Sequence, residues 1–187
     1  MKQRFIELLC STKRSGIERL IEYLETETDF FTAPASTRFH GAYPGGLLEH
    51  SLAVYDNLLK ISFMYDLQYP ADSMIISALL HDVCKANYYQ QEYRNRKNPK
   101  TGLWEQVGVY VIKDQLPLGH GEKSVMITQQ FIPLTIEEML AIRWHMGGFD
   151  DSVGGMGGKT LSLAMSQWSL VVALHMADLA ACYFDQK

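Results

Sequence analysis

The stretch Ala78-Leu79-Leu80-His81-Asp82-Val83-Cys84-Lys85 closes an apolar run with two adjacent side chains that bind metal well. A buried aliphatic segment has no packing use for an imidazole beside a carboxylate, so the pair asks for a cation or for partners. Upstream, Pro70-Ala71-Asp72-Ser73 opens a helix whose Ile75, Ile76, Leu79, Leu80 and Val83 form a broad apolar stripe ending at the pair.

Helical spacing continues on both sides of this stretch. Leu47, Leu48, Leu52, Tyr55, Leu58, Leu59 and Phe63 repeat every 3.6 residues and predict a helix from Leu47 to about Met64, with His50 in its first turn. Before it, residues 28–46 carry Pro34, Pro44 and three glycines and read as a loop that contains His40. Residues 3–10 and 14–25 predict two short N-terminal helices, with Ser11 and Thr12 offering a cap between them.

Downstream the pattern changes. Tyr88 to Arg96 and Leu103 to Ile112 are rich in aromatic and β-branched residues around Lys97-Asn-Pro-Lys-Thr-Gly102, which predicts an inserted β-hairpin over about 88–112 with a basic first arm. Helices are then expected from His120 to about Phe131 and, capped by the segment ending in Thr135, from Ile136 to Met146, with His145 at the end. Phe149 to Thr160 reads as a flexible loop, and Leu161 to Phe184 as one long final helix. The run Gly154-Gly155-Met156-Gly157-Gly158 lacks the Lys-Ser/Thr ending of a P-loop and the preceding strand of a Rossmann turn.

These elements predict an all-α bundle of about seven helices with one hairpin. A single domain over 1–187 is expected, with residues 1–28 as an N-terminal helical extension, because 187 residues can bury a sizeable core without covalent staples. Hydrophobic content of 47% with 20% charged residues is that of a folding globular chain. A net charge of −4 gives no global attraction to long duplex nucleic acid or to an anionic membrane surface. Cys10, Cys84 and Cys182 are scattered and odd in number, which fits reduced thiols. The N-terminus is too charged for a secretory signal, and the most apolar segment, Leu161 to Phe184, carries His175 and Asp178. A cytoplasmic protein is expected, and a homodimer is a fair expectation for its assembly.

His50, His81, His120 and His145 each fall at a helix end or a glycine-flanked turn, and Asp82 and Asp178 complete a nitrogen and oxygen donor set. Six donors exceed what one tetrahedral ion uses. They suit two metals sharing a carboxylate, or one octahedral metal with an accessory histidine pair. Imidazole with carboxylate favours Fe, Mn, Co, Ni or Zn over Mg or Ca.

The order His50 in GGLLEHS, His81-Asp82 in ALLHDVCK and Asp178 in ALHMADLAA, with His120 in LGHGEKS and His145 in IRWHMGG between them, resembles the HD-domain metal-dependent phosphohydrolases. The likeness covers about residues 39–182 and is to the subgroup with two extra histidines. It implies an HD-domain helical bundle in which His50, His81, Asp82 and Asp178 hold one metal and Asp82 bridges to a second held by His120 and His145. It also implies hydrolysis of a phosphate ester of a nucleotide or short oligonucleotide by a metal-activated hydroxide. Lys85, three residues after Asp82, would share its helix face and reach a phosphate oxygen or the leaving group. Two other readings stay open: a di-iron oxygenase of the same fold, and a catalytically silent nucleotide-binding module. His40 and His175 are left between substrate contact, orientation of a ligand and plain packing.

Overall fold

Apolar residues at helical spacing become, in the computed structural model that describes residues 1–185, eight α-helices among the described residues. They are α1 Lys2–Ser11, α2 Ile17–Thr26, α3 Gly46–Met64, α4 Ala71–Leu80, α5 His120–Gln129, α6 Ile136–Trp144, α7 Met156–Gln167 and α8 Ser169–Ala180. Two strands, β1 Tyr89–Lys97 and β2 Trp104–Ile112, form the hairpin between α4 and α5. The expected all-α bundle with an inserted hairpin is what the chain adopts.

The centre is built by α3, α4, α6 and α8, which pack on one another. Leu47, Leu58, Leu79, Leu80, Ile142, Leu170 and Leu174 are fully buried between them. At about 25 cal/mol per Å2 of apolar surface removed from water, each such side chain contributes roughly 1.5–3 kcal/mol, which makes this seam the main source of stability. α1 packs across α2, α3 and α4, so the two N-terminal helices are part of the same core.

Local chemistry sets several boundaries. Thr135 caps α6 as expected: its hydroxyl accepts from the Glu138 amide while the Glu138 carboxylate accepts from the Thr135 amide. Ser11 and Thr12, in contrast, do not cap α2. Their hydroxyls donate back to the carbonyls of Leu8 and Leu9 at the end of α1, and α2 begins after Gly16 at φ 90°.

The expected single helix over 161–184 is two helices. Trp168 leaves helical geometry at φ −133°, ψ 101°, and α7 and α8 meet there at a bend of 106°. Periodicity could not reveal this break, because the segment is apolar on both sides of it and holds no Gly or Pro. Tertiary packing decides: α8 must run through the core beside α3 and α6, and Ser169 at its start accepts a hydrogen bond from Tyr69 at 2.9 Å. The glycine run expected to be a loop likewise enters α7, whose first residues include Gly157 and Gly158. No single helix among the described residues is long and apolar enough to cross a membrane.

The hairpin pairs Tyr89 with Ile112 through Lys97 with Trp104, and most of it is exposed, the basic Arg94, Arg96, Lys97 and Lys100 included. Tyr89 is its anchor, donating from its hydroxyl to the Ala35 carbonyl at 3.3 Å.

Candidate metal centre

α4 and α6 end the same way. His81 and His145 are their C-terminal caps, and each ring folds back so that Nδ1 meets the carbonyl three residues earlier, Ala78 at 2.8 Å and Ile142 at 2.7 Å. The last carbonyls of a helix lack intrahelical donors, so the ring N–H that satisfies one is held at Nδ1. The consequence is a fixed tautomer in which Nε2 carries a lone pair. Both rings are fully buried and both lone pairs face inward.

α3 and α8 cross in front of His81 and bring His50 and Asp178. His50 Nε2 lies 3.3 Å from His81 Nε2, 3.1 Å from Asp178 Oδ1 and 3.6 Å from Asp82 Oδ2. His81 Nε2 is 3.4 Å from the same Asp82 oxygen and 4.0 Å from Asp178 Oδ1. On the other side of the Asp82 carboxylate, Oδ1 is 2.6 Å from Nε2 of His120, the first residue of α5, and 3.4 Å from Nε2 of His145. One oxygen of Asp82 therefore belongs to each of two donor clusters, His50–His81–Asp82 and Asp82–His120–His145.

Whether these residues fit a metal is decided by what each nitrogen faces. The His145 Nε2 atom has no hydrogen-bond partner although its surroundings are dry, and its lone pair is aimed at a carboxylate oxygen. His81 Nε2 likewise presents a lone pair to Asp82 Oδ2 and to His50. Electron-rich atoms facing one another in a low-dielectric interior repel, and a divalent cation among them turns each repulsion into a coordinate bond. The donor set fits a divalent metal.

Electrostatics keeps the acids ionised. Burial pushes the Asp82 carboxyl upward, but the Lys85 ammonium, together with the hydrogen bond from His120, outweighs it and holds the group well below the usual carboxylate range. Asp178 is opposed by burial in the same way and is held low by its bond to His50. His120 is shifted the other way: burial lowers it more than Asp82 raises it, which favours the neutral ring that a metal needs.

Lys85 does not sit on a continued helix as expected. α4 stops at Leu80, and Val83–Lys85 forms a 3-10 turn. The turn still folds Nζ back onto Asp82 Oδ2 at 2.5 Å. Lys85, Asp82, His120 and Asp178 form the floor of a cleft of about 530 Å3, while Phe39, Met146, Phe149, Leu179 and Tyr183 make its walls.

The two histidines left open also line this cleft. His175 fixes the backbone after α6: its ring bonds the His145 carbonyl through Nδ1 at 2.6 Å and fills the space where Gly147, at φ 53°, has no Cβ. His40 stacks near His50, with ring centroids 5.0 Å apart. Two cysteines were not singled out by the sequence reading. Cys84 Sγ lies 3.4 Å from His120 Nδ1, and Cys182 Sγ lies 3.5 Å from His40 Nε2. A signal existed, since Cys182 follows Asp178 by one helical turn. Arg143 lies outside the cleft lining and binds Glu122, Asp150 and Ser152.

No family model and no solved structure matches the chain. Over 99 residues it is 33% identical to the dihydroneopterin 2′,3′-cyclic phosphate phosphodiesterase of Methanocaldococcus jannaschii, a stretch amounting to 49% of this chain and 37% of that protein. The chain thus matches little more than a third of the relative's length, and its similarity is to a phosphodiesterase.

Proposed function

We propose that this chain is a metal-dependent phosphodiesterase of the HD type with a two-metal centre, acting on a small phosphate diester attached to a flat ring, such as a nucleotide or a nucleoside cyclic phosphate. The observation that carries the reading is the Asp82 carboxylate, one oxygen in each histidine cluster, at the floor of an apolar cleft. His50, His81, Asp82 and Asp178 would hold one divalent ion of the Fe, Mn, Co, Ni or Zn group, and Asp82, His120 and His145 a second. Such ions supply Lewis acidity towards phosphoryl oxygens and make water nucleophilic near neutral pH.

The protein's own part is orientation and charge. The Nδ1 bonds of His81 and His145 keep both Nε2 atoms as ligands without tautomer exchange. Lys85, held protonated because Asp82, Tyr89 and Asp178 together raise it more than burial lowers it, supplies a fixed positive charge for the phosphoryl oxygens. Phe39, Phe149 and Tyr183, exposed at 71%, 66% and 70%, offer stacking faces at the mouth. A cleft of about 530 Å3 suits one small ligand, and the net charge of −4 disfavours long duplex nucleic acid. The relative's name carries the same bond type, a 2′,3′-cyclic phosphate.

The test is hydrolysis of bis(p-nitrophenyl) phosphate and of nucleoside 2′,3′-cyclic monophosphates by protein loaded in turn with Mn, Co, Ni or Fe. Wild type turns over at least one of them, and His81→Ala loses about 100-fold or more. Inactivity of the wild type with every metal would sink the assignment, and oxygen consumption by the iron form would replace it with the oxygenase.

A further inference from the structure

Cys182 and His40 approach each other from segments that share no element. α8 ends at Ala180 and continues as one π-helical turn, Ala181–Asp185, a widened geometry common beside functional sites. It leaves Cys182 Sγ 3.6 Å from Asp178 Oδ1. His40 arrives on the loop before α3. That loop is clamped by Ala35 N to Gly41 O at 2.8 Å and by Ser36 Oγ to His40 O at 2.8 Å, and it lies so close on Gly46 that a Cβ there would sit 2.1 Å from Gly41 O. The histidine is placed by backbone structure.

The separations from the sulfur are those of ligands around one ion. With metal–sulfur near 2.3 Å and metal–nitrogen or –oxygen near 2.1 Å, tetrahedral geometry sets sulfur about 3.6 Å from its neighbours. The observed distances from Cys182 Sγ are 3.5 Å to His40 Nε2 and 3.6 Å to Asp178 Oδ1. Behind them stands His50, fully buried, which forms with His40 and Cys182 a group of mutually close donors and has an Nδ1 without a partner. Hydrogen bonding alone, with His40 Nε2–H donating to sulfur and S–H to Asp178, accounts for these two contacts but leaves the buried His50 Nδ1 without a partner.

We propose that His40, Cys182 and Asp178 form a third, sulfur-bearing cation site in the cleft wall, open on the cleft side, that takes a thiophilic divalent ion such as Zn2+, Co2+ or Cd2+. The two Asp82 clusters offer only nitrogen and oxygen, so the thiolate gives this site a different preference among metals. Cys182 loses its proton as the ion binds, and the bond formed is metal to sulfur with no change of oxidation state. The site stands whether or not the centre hydrolyses phosphodiesters.

Cobalt reports it directly, because a Co2+–thiolate bond adds charge-transfer absorption in the near ultraviolet that nitrogen and oxygen ligands do not. Metal-free protein of all 187 residues titrated with CoCl2 develops this band, Cys182→Ser abolishes it, and Cys84→Ser keeps it. His40→Ala weakens the cobalt affinity read from the band by at least tenfold. The proposal is overturned if wild type shows no such band at saturating cobalt, or if the band survives Cys182→Ser. If Cys182→Ser fails to fold, as judged by circular dichroism, His40→Ala decides alone, and an unchanged titration overturns the site. Phosphodiesterase activity is scored separately, so either reading can fail without the other.

Discussion

Glu138 and Asp82 are both carboxylates shut away from water, at 0% and 2% exposure, and they are held in opposite ways. Everything around Glu138 donates: the Arg14 guanidinium by two N–H groups, Ser73 Oγ at 2.7 Å and the Thr135 amide at 2.9 Å. Asp82 receives Lys85 and His120, yet it also faces the Nε2 lone pairs of His81 and His145 at 3.4 Å each. Glu138 is a charge the fold completes by itself, tying α4 and α6 to the α1–α2 connection. Asp82 is a charge the fold leaves open to a cation. A buried charge with all its donors reads as structure, and one facing other acceptors reads as a site.

Asp82→Asn breaks the contrast from the functional side and has the largest expected effect. The variant replaces one of the two oxygens by an NH2 that cannot ligate and removes the negative charge common to both clusters, so metal affinity falls by more than the roughly 10–100-fold typical of residues that only orient ligands. Metal-to-protein ratios after gel filtration measure this. Wild type should also gain about 2.7 kcal/mol of unfolding stability at a metal concentration 100 times Kd, a gain the variant lacks. Retention of both ions by Asp82→Asn would show that the carboxylate is not the shared ligand.

Arg14→Met breaks it from the structural side. Removing one partner of a buried pair leaves an uncompensated charge at a cost of about 3–5 kcal/mol, and the 18% exposure of the Arg14 side chain places the expected loss near the lower end. Urea unfolding reads the loss. The double variant Arg14→Met/Glu138→Met should recover most of it, because two apolar side chains need no partners. Metal stoichiometry stays that of the wild type in both. A double variant as unstable as the single would mean that helix geometry, not charge, governs the site.

What the sequence made legible follows from the range of each signal. The cap ending in Thr135 and the apolar stripe of α4 are local, and the structure has them where the sequence put them. The two polar residues ending that stripe stood out because burial makes such a pair expensive. The break at Trp168 was hidden, since helical periodicity reports which face is apolar and not where an all-apolar stretch bends. The approach of His40 to Cys182 was hidden for a second reason: 142 positions separate them, and only the packing of α3 on α8 joins their segments. Lys85 lies between these cases. Its spacing pointed to Asp82 correctly, although a 3-10 turn brings them together where a helix was expected.

Asp150 gives the mildest form of the Glu138 pattern and the smallest expected effect. It closes the turn after His145 by accepting from Arg143 Nη1 at 2.7 Å and from the Ser152 amide at 2.8 Å. Burial pushes its carboxyl upward, but Ser152 and Arg143 outweigh this and hold it below the ordinary value. A depressed folded pKa means that the contribution is complete above the unfolded value, about 3.9, and is lost as pH falls through the folded one. The difference in urea midpoint between wild type and Asp150→Asn should therefore be constant from pH 7 to about 5 and close towards zero as pH falls below 4. Its plateau should lie near 1 kcal/mol, the ordinary net contribution of such a hydrogen-bonded group. Curves that stay parallel down to pH 2.5 would mean that the ionised carboxylate contributes nothing there, and that the turn after His145 is held by the His175 ring and Gly147 alone.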